Sequence, residues 1–170
     1  AASEATPYAK SGGLADVAFS LPPALQKTGD DIAIVTPMYR VTQENYGDEF
    51  ERIKTCQIVL GQRRLACSLY RGALNGVTVY AIGNEHLFHR PRLYGYGDDS
   101  LRFAFFCRAV IDLLPEFGDL PDILHCNDWE TALAILYLKN DAVLRPELSH
   151  IKTVYTIHNI QYQGKYGMEI

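Results

Sequence analysis

The sequence predicts an α/β fold: a doubly wound, mostly parallel sheet with an antiparallel hairpin excursion. Three observations carry this. Short apolar runs such as Ile32-Ala33-Ile34-Val35-Thr36 have the unbroken hydrophobicity of strands buried on both faces. Such runs alternate with stretches of helical periodicity, the pattern of β–α–β units. Asn75-Gly76 separates two further strand-like runs, which is a hairpin signal.

The elements follow in order. Leu14 to Lys27 carries apolar residues at helical spacing, and Pro22-Pro23 is expected to break or kink it. Thr28-Gly29-Asp30-Asp31 reads as a turn, and 32–36 as a buried strand ended by Pro37. Residues 53–60, 64–71 and 77–82 read as short strands, the last two joined at Asn75-Gly76. Residues 85–99, rich in Gly, Pro, His, Arg and Tyr, read as a long ordered loop of the length that is often functional. A helix is expected from Asp99-Ser100 to about Phe117, with a stripe of Leu101, Phe105, Ala109, Ile111 and Leu114. Then come a short buried strand over 123–126, a helix from Trp129 to about Lys139, and a last strand over 153–157.

With 170 residues the chain is long enough for one domain with a real core. An apolar fraction of 48% and a charged fraction of 21% are ordinary for a globular domain. The net charge of −4 gives no basic footprint for nucleic acid. No run is long and apolar enough to span a bilayer, and no signal peptide is visible at the start. The four cysteines, Cys56, Cys67, Cys107 and Cys126, show no CxxC pair; they read as reduced, mostly buried thiols, with no ligand spacing for a metal. Eleven tyrosines suit polar ligands such as sugars, although half-buried packing accounts for most tyrosines.

Ligands of doubly wound sheets bind beyond the carboxyl ends of the strands. Three such ends carry polar residues. The first is the stretch from Ser3 to Tyr8 leading into Lys10-Ser11-Gly12-Gly13 before a helix. A lysine and two glycines ahead of a helix offer charge and loose amides to an anion, or form a plain turn. The second is His125-Cys126-Asn127-Asp128-Trp129, where Asp128 serves a ligand or only caps the next helix, His125 is a ligand group or a core histidine, and Trp129 is a packing residue. The third is His158-Asn159, which lines a site or satisfies loose backbone groups.

The run from Lys10 to Val17, preceded by Ser3-Glu4 and Pro7, resembles the opening of bacterial glycogen synthases and plant starch synthases. The match continues in Leu21-Pro22, Arg90-Pro91, Tyr94-Gly95, His125 to Trp129, Thr156 to Ile160 and Tyr162-Gln163-Gly164. These motifs keep their order and approximate spacing over essentially the whole chain. The resemblance implies a GT-B glycosyltransferase, in which two Rossmann-like domains face each other across a cleft. It further implies that residues 1–170 are the N-terminal, acceptor-side domain, clipped at its opening strand, and that the C-terminal nucleotide-sugar domain lies outside this chain.

The implied reaction is transfer of glucose from ADP-glucose or UDP-glucose to the non-reducing end of an α-1,4-glucan, with retention and without a metal or other cofactor. The implied partners are that nucleotide sugar and the glucan, with no nucleic acid and no membrane. The implied setting is cytoplasmic, or plastid for a plant protein. By the same resemblance Lys10, with the amides at Gly12 and Gly13, meets the donor phosphates. Asp16 reaches the sugar and acceptor region, His158 contacts the transferred glucose, and Asp128 lines the cleft. Tyr94 and Asn159 stand beside the bound sugar. His89 and Arg92 depart from the family pattern and leave the course of the 85–99 loop open; Pro22-Pro23 doubles a proline that is usually single.

Other readings are a sucrose-forming or trehalose-forming enzyme of the same architecture, and a non-catalytic glucan-binding module. A dinucleotide-dependent oxidoreductase is disfavoured, because Gly12-Gly13 lacks the third glycine of its fingerprint. The isolated domain is expected to be inactive, since half of the cleft lies elsewhere.

Overall fold

The computed structural model describes residues 1–167, so the last three residues of the expected domain lie outside the described residues. The order is α1 (Gly13–Gln26), β1 (Ala33–Pro37), α2 (Arg40–Tyr46), β2 (Glu51–Leu60), β3 (Arg63–Leu74), β4 (Val77–Gly83), α3 (Glu85–Phe88), α4 (Asp99–Asp112), β5 (Ile123–Asn127), α5 (Trp129–Asp141) and β6 (Lys152–Thr156), with three short 3₁₀ turns between them.

The strands form a four-stranded sheet, β1-β4-β3-β2, and a two-stranded sheet, β5-β6. The β1–β4 and β5–β6 pairs are parallel, whereas β2–β3 and β3–β4 are antiparallel. The hairpin excursion is therefore real, and its turn is the one that Asn75-Gly76 signals: both residues have positive φ, 51° and 82°, as a type I′ turn requires. Ala1 and Ala2 tie the two sheets together. The Ala2 N–H donates to Val35 O at 3.0 Å, and the Asn127 N–H donates to Ala1 O at 3.2 Å. The chain start thus occupies the strand position between β1 and β5, and Glu4 emerges from it at the carboxyl edge.

Two expectations are corrected. The prolines do not break α1, which runs through Pro22 and Pro23. Its buried face includes Leu14, Ala15, Ala18 and Pro22, so burial against the sheet outweighs the lost backbone bonds. The long helix does not present a single apolar stripe. α4 ends at Asp112, a 3₁₀ turn covers Leu114–Phe117, and Phe103 through Cys107 and Ala109 through Ile111 are all buried. α5 and the sheet cover it from opposite sides, which demands apolar residues nearly all round. The main core gathers around α4, with Phe88, Phe103, Phe105 and Phe106 at its centre, and a smaller cluster around Tyr8 and Phe50 lies under α1.

Candidate active site

The start of α1 is held from inside. Glu4, only 4% exposed, accepts from the Gly12 N–H at 3.2 Å and from the Ser11 hydroxyl at 2.8 Å, and also from the Ser11 N–H. The sequence offered the Gly12 amide to an external anion; Glu4 already engages it, because a carboxylate is the nearest anion that satisfies amides at a helix N-terminus. Gly13 begins the helix, and a Cβ at either glycine would meet open space. Lys10 reaches the opposite way, its Nζ 2.6 and 2.8 Å from the two carboxylate oxygens of Asp16. Both side chains of this pair are more than half open to solvent or close to it, at 50% and 57%. The Lys10 ammonium holds the Asp16 carboxyl below its usual range, and the Thr6 hydroxyl adds a bond at 3.3 Å.

The ends of β5 and β6 are joined by Asp128. Its side chain caps no amide of α5, which corrects the capping alternative. With φ at 59° it turns its carboxylate across to the chain after β6, accepting from the His158 N–H at 2.6 Å and the Asn159 N–H at 3.4 Å. A left-handed non-glycine backbone is uncommon, and here it aims the acid at a neighbouring loop. His158 is exposed, its Nε2 lying 2.9 Å from Asn127 Oδ1, and Asn127 Nδ2 donates to Ala1 O at 3.0 Å. His125 is half-buried with Nε2 2.8 Å from Thr156 Oγ1, and burial holds its imidazole below the usual range. The Asn159 side chain accepts from the Gln161 N–H at 3.0 Å, a local turn.

The expected 85–99 loop is shortened, since its first four residues form α3, capped by the Asn84 side chain, and its last opens α4. Tyr94 arrives from the 89–98 segment between them, which a buried ion pair fixes. Arg102, wholly buried, meets Asp99 at 2.5 Å and donates to the carbonyls of Leu87 and Leu93 at 2.6 and 2.9 Å. Asp99 in turn accepts from the N–H groups of Gly95 and Tyr96. The open question about the loop's course is thereby answered: the departures at His89 and Arg92 stand on its outer side, exposed or half-exposed, while the inner pair sets the path. The Tyr94 hydroxyl lies 2.9 Å from both Ser3 Oγ and Glu4 Oε1 and so braces Glu4. Burial raises its phenol well above the ordinary value.

Beneath this rim lies an acid that the sequence did not single out. Glu130 is 8% exposed, and burial, reinforced by the charges of Asp128, Glu4 and Asp99, pushes its carboxyl up to about 8. Its Oε2 and the Tyr39 hydroxyl are buried without a hydrogen-bond partner. In sequence an acid in the first turn of a helix reads as a favourable dipole residue, and nothing local announces its burial.

The structure links the site residues into two hydrogen-bonded groups, one at the start of α1 and one at the ends of β5 and β6. Gly12 and Tyr94 meet at Glu4, and Lys10 pairs with Asp16 on the outer side of the same helix start. Asp128 holds the His158 and Asn159 amides, and His158 reaches through Asn127 to Ala1, three residues before Glu4. Two surface depressions of about 570 and 210 Å³ are lined by other residues. Among the described residues no His, Cys, Asp or Glu group is arranged to hold a metal, and no helix is long and apolar enough to cross a membrane.

The family model of the starch synthase catalytic domain matches residues 1–170. The chain belongs to the starch synthase catalytic domain family. Members similar to it include the glycogen synthase of Clostridium novyi, 43% identical over all of this chain and 36% of the relative, and that of Bacillus cereus strain Q1, 41% identical with the same coverage. Among solved structures, the catalytic domain of starch synthase IV from Arabidopsis thaliana, described as bound to ADP and acarbose, superposes with a TM-score of 0.82 at 32% identity, covering 96% of this chain and 34% of that one. The chain thus spans about a third of the length of the family members it matches, and its fold is that of the corresponding part of the starch synthase IV catalytic domain.

Proposed function

We propose that this chain forms the acceptor-side wall of a retaining glucosyltransferase, which moves glucose from ADP-glucose or UDP-glucose to the non-reducing end of an α-1,4-glucan. The second, nucleotide-sugar domain would face this wall. One observation carries the reading: an exposed ammonium stands just ahead of a helix N-terminus, and at the ends of β5 and β6 an exposed histidine is held by a buried aspartate. The family membership and the ADP and acarbose named for the starch synthase IV structure support it.

The roles follow from the geometry. The leaving group is a nucleoside diphosphate, whose negative charge grows as the glycosidic bond breaks. Lys10 meets that charge, aided by the positive end of α1. Its bond to Asp16 is no obstacle, since an exposed ion pair contributes little and a diphosphate carries more charge. Asp16, released from Lys10, faces the sugar and the acceptor. Asp128 fixes the backbone that presents His158 to the transferred glucose, and Asn159 continues that loop. Tyr94 and Glu4 set the loop ahead of α1 through the Ser11 and Gly12 amides, so both act by positioning.

The test uses the full-length protein with labelled ADP-glucose or UDP-glucose and glycogen as acceptor. Incorporated label is expected, and Lys10→Ala should lower kcat/KM about a hundredfold. Transfer to fructose or a glucose phosphate instead, or an unchanged kcat/KM in Lys10→Ala, would overturn the assignment. Residues 1–170 alone should bind without turning over.

A further inference from the structure

Cys56 and Cys67 stand directly opposite each other in the antiparallel β2–β3 ladder. Opposed residues of such a ladder have Cα atoms about 4.5–5.5 Å apart, inside the roughly 4.4–6.8 Å span that a disulfide bridges. Both side chains point to the same face, since cross-strand partners share a face. That face is the core side, where Ile58 and Leu69 neighbour them and α4 lies over it. Burial is unequal: Cys67 is 1% exposed, while Cys56 is half-buried. Cys107 and Cys126 differ on both counts. They sit on α4 and β5, are 1% and 0% exposed, and the Cys107 thiol is engaged by the Glu130 carbonyl at 3.2 Å.

We propose that Cys56 and Cys67 form a reversible disulfide site on the β2–β3 hairpin, with a small-molecule disulfide as the oxidant. The Cys56 thiolate attacks one sulfur of the oxidant, expelling one thiolate and leaving a mixed disulfide on Cys56. Cys67 then loses its proton and attacks the Cys56 sulfur, releasing the second thiol. Two cysteine thiols are oxidised, one external disulfide is reduced to two thiols, and the protons pass to those products. Burial, with the Cys56 sulfur beside it, pushes the Cys67 thiol well up, so the less buried Cys56 opens the reaction and the buried Cys67 closes it.

The experiment incubates the folded full-length protein with oxidised glutathione, blocks remaining thiols and maps tryptic peptides. A link between the Cys56 and Cys67 peptides is expected, with a loss of two hydrogens that dithiothreitol reverses. In Cys56→Ser that link should vanish and Cys67 should stay a free thiol. All four of these cysteines remaining unlinked, a glutathione adduct persisting on Cys56, a Cys107–Cys126 link, or a dimer joined through Cys56 would each overturn the proposal.

Discussion

Two ion pairs of nearly equal reach lie in opposite surroundings. Lys10–Asp16 closes to 2.6 Å at the rim, with side chains 50% and 57% exposed; Arg102–Asp99 closes to 2.5 Å beneath it, at 0% and 5%. The same chemistry serves two ends because burial, not distance, sets its worth. In water the charges are screened and the pair opens at little cost, which suits the phosphate role proposed for Lys10. In the interior neither partner can be left alone, and the pair becomes a fixture that anchors the loop bearing Tyr94.

The comparison is open to attack, beginning with the buried pair. Arg102→Met should cost about 3–5 kcal/mol in urea denaturation, since it strands Asp99 without water. A loss no larger than that of an exposed substitution would erase the contrast. Next comes the buried acid. Glu130 keeps its proton to about pH 8 in the folded state, whereas an unfolded glutamate releases it near 4.5. Between those values the native state binds more protons, so stability falls as pH rises and levels off above pH 8. Glu130→Gln should flatten that decline and gain on the order of a few kcal/mol at pH 8, read from urea midpoints across the window. Smaller is Gly164→Ala. Gly164 has φ of +59°, and an added Cβ would overlap the Trp129 ring. A loss of about 1–3 kcal/mol is expected, from backbone strain and overpacking together. Smallest of all, Lys10→Ala should leave the melting midpoint where it was. A marked drop would mean that the rim pair is structural after all.

Much of the fold is legible without coordinates because its signals are local. The Asn75-Gly76 turn, the unbroken apolar runs and the two long helices follow from backbone preference and patterning over short windows. The site residues are legible as types at strand ends, and the motif order names their family. Their partners are not, since a partner is a matter of which strands become neighbours. Asp128 looks like a cap in sequence because caps precede helices; it holds His158 instead, thirty residues on, because β5 and β6 pair in parallel. Glu4 resembles any acid in a loop until the chain start, wedged between β1 and β5, delivers it to α1.

The order of residues alone determined the α/β class and the hairpin, which rest on patterns close in the chain, and the resemblance to the starch synthase family, which rests on motifs kept in order along it. Only the tertiary structure decided that Glu4 fills its own amide site, that Arg102 is buried beneath Tyr94 and that Glu130 keeps its proton. Those outcomes depend on exclusion of water by segments far apart in sequence, and solvation is a property of the assembled neighbourhood rather than of any residue within it.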